Sequence, residues 1–216
     1  YTKVKKAVAV VNGTAALQTS LRIVGVNSGD EVITQSLTFV ATANAISYLD
    51  AKPIFIDVDL DTMGMSPSSL KKFLNINCEI RDDGTYNKLS NKRISACMPM
   101  HTYGFICRID EIIKICNKWK IPVVEDAAEA LGSFYKGKSS GSFGNVSALS
   151  FNGNKIITTG GGGMILTNDN VLGARAKFLT TTARESHPWS YKHSEIGYNF
   201  RMPNINASIG CAQLEN

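Results

Sequence analysis

The sequence predicts an α/β fold in which a mostly parallel central sheet is flanked by helices in three layers. Short apolar runs rich in β-branched residues alternate along the chain with amphipathic segments of helical period. Strands that alternate with helices in this way pair in parallel, because each helix returns the chain to the same edge of the sheet. The 216 residues are 44% hydrophobic and 19% charged, which suffices for one large core.

The first strand-to-helix unit is the best specified. Residues 8–11 form the first predicted strand and residues 14–24 the helix after it, with Leu17 and Leu21 on one apolar face. Thr14 is placed to cap the start of this helix. Further strands are expected at 31–34, 54–58, 94–98 and 121–125, and further helices at 38–48, 67–74 and 109–119.

The pattern changes near residue 146. Two strands are predicted, at 146–150 and 163–167, and the glycine-rich stretch between them predicts a functional loop, since it suits neither a helix nor a packed core. Residues 75–93 are rich in Asn and contain Asp-Asp-Gly, which predicts an excursion on the surface.

Composition and charge exclude several classes of function. The net charge of +5 comes from 23 basic and 18 acidic residues scattered along the chain, so no nucleic-acid surface is indicated. The five cysteines include no C-x-x-C pair and the three histidines are dispersed, which argues against a disulfide framework and a metal site. No window is apolar enough for a membrane span, and a reducing cytoplasm is the expected location.

Both ends of the chain look cut. The first residue is Tyr1 rather than Met, and Glu215-Asn216 closes a helical-looking segment without a stop signal. We therefore expect the chain to be a fragment of a longer protein.

Two segments are typical of a ligand site in an α/β fold. Gly13-Thr14-Ala15-Ala16 begins a helix directly after a strand, where free N–H groups bind phosphate, although an ordinary capped helix has the same sequence. Asp126 ends a buried strand at the edge where α/β sheets bind ligands, although such an aspartate also caps helices. Glu129 would share a face of the helix that Asp126 begins.

Lys155 follows a predicted strand in the stretch Ser150-Phe151-Asn152-Gly153-Asn154-Lys155. A lysine held by such a turn can be desolvated and lowered in pKa, as an amine that attacks a carbonyl requires, whereas most turn lysines are simply solvated. The four glycines at 160–163 let the backbone pass close to another group. They do not match the G-x-G-x-x-G fingerprint, so a Rossmann dinucleotide site is a poor alternative.

Seven blocks of the chain occur together in a recognisable order: 12–17, 29–33, 38–44, 99–104, 125–132, 150–155 and 197–202. In this order they resemble the DegT/DnrJ/EryC1/StrS family of sugar aminotransferases, which depend on pyridoxal 5′-phosphate (PLP). The resemblance covers essentially the whole chain. It implies that residues 1–216 are the PLP-binding large domain of a fold-type I enzyme, without an N-terminal segment and the smaller C-terminal domain.

The resemblance implies roles around the ring of the cofactor. Lys155 is expected to carry PLP as a Schiff base, and Asp126 to pair with the pyridine nitrogen and keep it protonated, so that the ring accepts electrons. Phe39 occupies the position of the aromatic side chain that stacks on the ring. Glu129 lies near the hydroxyl side, at a position where family members often carry Gln or His.

The resemblance also implies how the phosphate is held. Thr14, Ala15 and Ser150 match phosphate contacts within the subunit. Asn199 matches a residue that reaches the phosphate of the neighbouring subunit, which implies a homodimer with shared active sites.

The function implied is transfer of an amino group from glutamate to a nucleotide-linked keto-sugar, in the synthesis of surface glycans. Residues 131–136, the stretch 151–159 and the insertion at 75–93 resemble a narrower group of enzymes. That group aminates carbon 4 of UDP-linked 4-keto-6-deoxy-N-acetylhexosamines, on the routes to bacillosamine and legionaminic acid.

Two alternatives stay open. A PLP-dependent sugar dehydratase has the same fold, and Lys155 argues only against the type that carries histidine there. A non-catalytic, PLP-binding relic is favoured by a chain of about half the family length, and the retained Lys155 and Asp126 oppose it. Four further residues have open roles, as structural groups or as contacts for the sugar, a diphosphate or a carboxylate: His101, Arg184, Tyr198 and Arg201.

Overall fold

The computed structural model describes residues 1–215, and Asn216, the last residue of the predicted terminal segment, lies outside them. The strands are β1 (Lys6–Val10), β2 (Glu31–Gln35), β3 (Lys52–Ile56), β4 (Cys78–Arg81), β5 (Gly84–Asn87), β6 (Lys92–Met98), β7 (Val124–Asp126), β8 (Phe134–Tyr135), β9 (Lys138–Ser139), β10 (Val146–Ser150) and β11 (Gly163–Thr167). The helices are α1 (Gly13–Ile23), α2 (Val40–Ser47), α3 (Pro67–Asn77), α4 (Ile109–Lys118), α5 (Asn170–Thr180) and α6 (Asn204–Glu215), with a 3-10 turn at Thr102–Gly104.

The central sheet has the spatial strand order β1, β11, β10, β7, β6, β2, β3. Parallel bridges from Cys97 to Val123 and from Met100 to Asp126 join its two halves. Within residues 1–215, six of these seven strands run in one direction, and β11 runs against them. The predicted mostly parallel sheet is confirmed.

Helices cover both faces of this sheet, as predicted. α1, α2 and α5 pack on one face through Leu17, Ile46 and Ala176. α3 and α4 pack on the other face through Leu70 and Ile112. Apolar residues adjacent on a strand point to opposite faces, so a central strand such as β2 supplies both cores, through Val32 on one face and Ile33 on the other. No helix within residues 1–215 is long and apolar enough to cross a membrane.

Residues 75–93 are largely exposed, as expected of a surface excursion, but they contain two paired strands that the sequence pattern does not predict. After the last turn of α3, strands β4 and β5 form a hairpin that pairs with the first half of β6 and widens the sheet. Two of its polar residues are buried and paired: the Thr85 hydroxyl donates to the Trp119 carbonyl, just after α4, and Asn87 Nδ2 donates to Glu31 Oε2 over 2.9 Å. Because these inward residues are polar, the apolar alternation that marks strands is missing.

Candidate active site

A cavity of about 370 Å³ opens at the carboxyl ends of the central strands. The end of β7 supplies Asp126, the end of β10 supplies Ser150, and residues at the starts of α1 and α2 form further walls. Open α/β sheets bind their ligands at this edge. The cavity is lined by Asn12, Gly13, Thr14, Leu17, Phe39, Ala41, Thr42, Met100, Asp126, Ala128, Glu129, Ser150, Asn152, Asn154 and Lys155.

Asp126 presents a carboxylate to this cavity, with only 2% of the residue exposed. Its Oδ2 accepts a 2.7 Å hydrogen bond from the Thr42 hydroxyl, and its Oδ1 accepts one of 3.2 Å from the Ala128 N–H. Burial raises the pKa of Asp126, and these two hydrogen bonds and the charges of His101 and Lys155 offset only part of that rise. A cationic group placed against this carboxylate would stabilise its ionised form.

The chain after Asp126 forms successive turns instead of the predicted helix. The Ala130 N–H donates to the Ala127 carbonyl and the Ser133 N–H to the Ala130 carbonyl, both over 3.0 Å. The Ala127 N–H also donates to the Ala148 carbonyl over 3.0 Å, so this residue extends the pairing with β10 instead of starting a helix. Glu129 therefore reaches the cavity from a turn.

Lys155 and Glu129 meet inside the cavity. Lys155 Nζ donates to Glu129 Oε1 over 3.4 Å, and the two side chains are 16% and 22% exposed. Glu129 Oε2 accepts a 2.8 Å hydrogen bond from the main-chain N–H of Tyr103, a residue with a φ of +52°. A positive φ is uncommon for a residue with a side chain, and here it accompanies the contact that fixes Glu129. The carboxylate is thus held between the main chain and the lysine.

The start of α1 forms a second polar wall. Asn12 caps this helix, because its Oδ1 accepts a 2.7 Å hydrogen bond from the Ala15 N–H. The prediction that Thr14 is the cap is wrong, since Thr14 already lies in the first helical turn and lines the cavity. Ala15 is buried and its amide serves the cap, whereas the first-turn amides of Gly13 and Thr14 have no partner within residues 1–215.

Two glycines allow α1 to approach the sheet. A Cβ at Gly13 would lie 2.8 Å from the Ser150 Cβ, so Ser150 packs directly against the first residue of the helix. A Cβ at Gly163 would lie 2.5 Å from the Asn12 carbonyl oxygen. Gly163 is the last of the four consecutive glycines, and the close approach expected of that run occurs at this position.

Phe39 and Asn199 are placed very differently. Phe39 lines the cavity and is 64% exposed, so one face of its ring is open to a ligand. Asn199 is exposed and does not line the cavity of its own chain. Its Oδ1 accepts hydrogen bonds of 3.3 and 3.2 Å from the Arg201 guanidinium.

Thr42 belongs to the site although the sequence alone does not single it out. Its hydroxyl bonds Asp126 Oδ2 and lies 2.5 Å from the Thr38 hydroxyl. The available signal is the spacing of four residues between two threonines within the block 38–44, which places both hydroxyls on one side of a helical turn.

The four residues whose roles were open all lie outside the cavity. His101 is fully buried and bonds Glu125, which favours a structural role over a sugar contact. The Tyr198 hydroxyl accepts a 3.2 Å hydrogen bond from Arg22 on α1. Arg184 and Arg201 share a separate depression on the surface.

The donor set of the cavity fits PLP. Unpaired amides at a helix start beside the Ser150 hydroxyl suit a phosphate. The buried carboxylate of Asp126, with its raised pKa, suits a protonated pyridine nitrogen. The Lys155 amine suits the aldehyde carbon.

Comparison with known proteins supports the same assignment. The model of the DegT/DnrJ/EryC1/StrS aminotransferase family matches residues 1–216. The chain is 49% identical over 98% of its length to EpsN of Bacillus subtilis, whose name describes a pyridoxal phosphate-dependent aminotransferase, and covers 52% of that protein. It is 44% identical over 98% of its length to the GDP-perosamine synthase of Escherichia coli O157:H7, of which it covers 54%. The chain thus spans about half the length of the curated relatives that it matches.

Solved structures agree with the sequence matches. The X-ray structure of the aminotransferase from Psychrobacter cryohalolentis superposes with a TM-score of 0.86 and 32% identity, over 99% of this chain and 53% of that one. A family match over the full chain, together with relatives of this similarity, leaves no ambiguity about descent. The chain belongs to the DegT/DnrJ/EryC1/StrS aminotransferase family, whose members depend on pyridoxal 5′-phosphate.

Proposed function

We propose that this protein uses PLP to transfer an amino group from glutamate to a nucleotide-linked keto-sugar, in the synthesis of a surface polysaccharide. The observation that carries the proposal is the convergence of Lys155, Asp126 and the start of α1 on one cavity. When bound, PLP supplies an electron-accepting ring that stabilises negative charge at a carbon from which a proton is removed.

Asp126 would hold the pyridine nitrogen in its protonated state. The carboxylate is buried and fixed by Thr42 and Ala128, so its position is set before the ligand arrives. Because burial raises the pKa of Asp126, a cationic partner in the cavity would favour its ionised form.

Lys155 would anchor the cofactor and move the proton at the α-carbon of the amino donor. Both tasks need an amine that is neutral for part of the cycle. Glu129 contacts Lys155 Nζ at 3.4 Å and is itself fixed by the Tyr103 N–H, so it would orient the amine when no ligand is present.

The start of α1 and Ser150 would hold the phosphate, and the exposed ring of Phe39 would pack on the pyridine ring. Helix N-termini favour anions through their free N–H groups and their dipole. Thr14 lines the cavity there, whereas Ala15 would contribute through its position in the first turn, since its amide is already used by Asn12.

A dimer with shared sites would complete the phosphate contacts. Asn199 is exposed, outside the cavity of its own chain, and its Nδ2 has no partner within residues 1–215. An amide in this position is free to reach a phosphate bound by a second copy.

The sugar is proposed to be a UDP-linked 4-keto-6-deoxy-N-acetylhexosamine. The 44% identity to a GDP-perosamine synthase favours a second candidate, the GDP-linked keto-sugar corresponding to perosamine. Assays of amino transfer from glutamate to each sugar separate the two, and the substrate with the higher kcat/KM identifies the nucleotide.

The decisive experiment is the ultraviolet-visible spectrum of the protein with PLP, for the wild type, Lys155→Ala and the control Lys138→Ala. Lys138 lies exposed on β9, away from the cavity, so its removal tests for non-specific lysine adducts. We expect a visible band in the wild type and the control, bleached by glutamate, and no band in Lys155→Ala.

A Lys155-dependent band that glutamate leaves unchanged would contradict the proposed reaction. It would favour another amino donor, the PLP-dependent dehydratase or the non-catalytic relic. Absence of any band in the wild type would overturn the assignment of Lys155 as the anchor.

A further inference from the structure

A buried polar cluster lies behind the cavity and has no part in the proposed reaction. His101, Cys107 and Glu125 are fully buried, and none of them lines the cavity. The His101 ring bonds at both nitrogens: Nε2 lies 3.0 Å from Glu125 Oε2, and Nδ1 lies 3.6 Å from Cys107 Sγ. Burying an acid and a base costs free energy of folding unless the two groups are paired and hydrogen-bonded to each other.

The surroundings of Glu125 favour its ionised form. Oε1 accepts hydrogen bonds from the N–H groups of Phe143 and Gly144 at 2.7 and 2.6 Å, and Oε2 accepts one from Gly141 at 3.1 Å. With His101 these make four donors around two oxygens. A carboxylate accepts all four, whereas a protonated carboxyl group must give up one.

His101 is the base that balances this charge. Burial lowers the pKa of His101, but the hydrogen bonds and charges of Cys107 and Glu125 outweigh it and raise the pKa to about 10. The two nitrogens face these two groups alone among the described residues, so the geometry agrees with a ring that carries both protons at neutral pH.

The same pair holds Asp126 through the main chain. Glu125 and Asp126 are neighbours on β7, so their side chains point to opposite faces of the sheet, and only Asp126 reaches the cavity. The main-chain N–H of His101 donates to the Asp126 carbonyl over 3.0 Å, and the main-chain N–H of Asp126 donates to the Pro99 carbonyl over 2.9 Å. The main chain of His101 therefore contacts Asp126, and its ring contacts Glu125, the residue before Asp126.

We propose that His101 and Glu125 are positioning residues whose permanent ion pair fixes the end of β7 and keeps the Asp126 carboxylate ionised from the side opposite the cavity. The purpose assigned to the pair rests on the proposed function, since an ionised Asp126 matters for a pyridine nitrogen. The charged groups that act on Asp126 are His101 behind it and Lys155 within the cavity.

The test is nuclear magnetic resonance of the cofactor-free protein with labelled histidine and aspartate. We expect the His101 ring to carry both protons from pH 6 to 9. The chain has three histidines, so His187→Gln and His193→Gln assign the signals and serve as controls.

In His101→Gln, whose amide can still donate to Glu125, the titration midpoint of Asp126 is expected to rise by about one pH unit, a tenfold change in its proton affinity. A neutral His101 ring at pH 7, or an unchanged Asp126 midpoint in a folded His101→Gln protein, would overturn the proposal. If that variant does not fold, the protonation of the wild-type ring decides alone.

None of these measurements uses PLP, so the outcome is independent of the spectrum with Lys155→Ala. A Lys155-dependent visible band together with a neutral His101 would overturn the proposal for His101 and Glu125 and leave the proposed function in place. A charged His101 in a protein that forms no visible band would overturn the proposed function and leave the ion pair of His101 and Glu125 in place.

Discussion

Asp126 is kept in the folded protein at a cost in stability. Burial raises its pKa, so between the ordinary value of about 4 and the raised value the folded state holds a proton that the unfolded state has released. The free energy of unfolding therefore falls as the pH rises through that window. A buried carboxylate that lowers stability is typical of a functional site, because the same burial strengthens its interaction with a cationic ligand.

The variant Asp126→Asn is expected to stabilise the cofactor-free protein by about 1 kcal/mol at pH 7, because a buried charge is removed and the shape is kept. The gain should shrink as the pH falls towards 4, where Asp126 is protonated. Guanidinium unfolding at several pH values measures both effects, and PLP should be retained less well by the variant.

Asp110→Asn is the matched control with the opposite sign. Hydrogen bonds from Lys136 and Tyr135 lower the pKa of Asp110 to about 2, so its contribution is present above pH 4 and is lost as the pH falls through 2. This variant should lose stability at pH 7. An Asp126→Asn protein that is also less stable than the wild type at pH 7 would contradict the burial argument.

The residues of the site differ in how far sequence predicts them. Asp126 ends β7 and Lys155 lies in the loop after β10, so their places at the sheet edge could be inferred from local pattern. Glu129 could not be placed correctly, because the alanine-rich segment around it has a helical pattern, whereas the chain pairs with β10 at Ala127 and then forms turns. Its contact with the Tyr103 N–H joins residues 26 positions apart, which no local pattern encodes.

At the scale of elements, the start of α1 depends on the space left by the glycine-rich segment. Gly163→Ala would place a Cβ 2.5 Å from the Asn12 carbonyl oxygen, on main chain that caps the helix and cannot move alone. We expect a loss of about 1–3 kcal/mol in the free energy of unfolding, together with weaker PLP binding, because the phosphate wall is displaced.

Gly161→Ala is the control within the same run of glycines. No atom lies within 4 Å of a Cβ built there, and its φ is not positive, so stability should be nearly unchanged. Chemical denaturation and PLP titration of both variants measure the difference. Equal stability of the two would mean that the contact at Gly163 does not constrain α1.

The hairpin of β4 and β5 shows why some elements escape sequence analysis. Its buried positions hold Thr85 and Asn87, which are satisfied by partners far away in sequence. Pairing with β6, rather than an apolar pattern of its own, defines this hairpin. By contrast β10 and β11 agree with their predicted bounds: β11 carries Met-Ile-Leu between a glycine and a threonine, and the first four residues of β10 are buried between glycine-containing turns.

At the scale of the whole molecule, the alternation of strands and helices predicts three layers but leaves the strand order open. The order is set by contacts between distant segments: β1 pairs with β11, more than 150 residues later in the chain. That pairing brings the start of α1 beside the end of β10 and so creates the wall for a phosphate. The site is thus a consequence of topology as much as of the individual motifs.

Mixing two variants with different defects tests whether Asn199 contacts the cofactor of the neighbouring subunit. Lys155→Ala removes the anchor, and Asn199→Ala should weaken PLP binding roughly tenfold or more, because a hydrogen bond to a charged phosphate is lost. If Asn199 acts across a dimer, a mixed dimer has one site with both defects and one site with neither. With equal amounts and free exchange, half of the dimers are mixed, so about one quarter of all sites regain wild-type PLP affinity. The visible band at a PLP concentration too low for Asn199→Ala alone measures this recovery. If Asn199 acts within its own chain, every site that retains Lys155 in the mixture also lacks Asn199, and no recovery occurs.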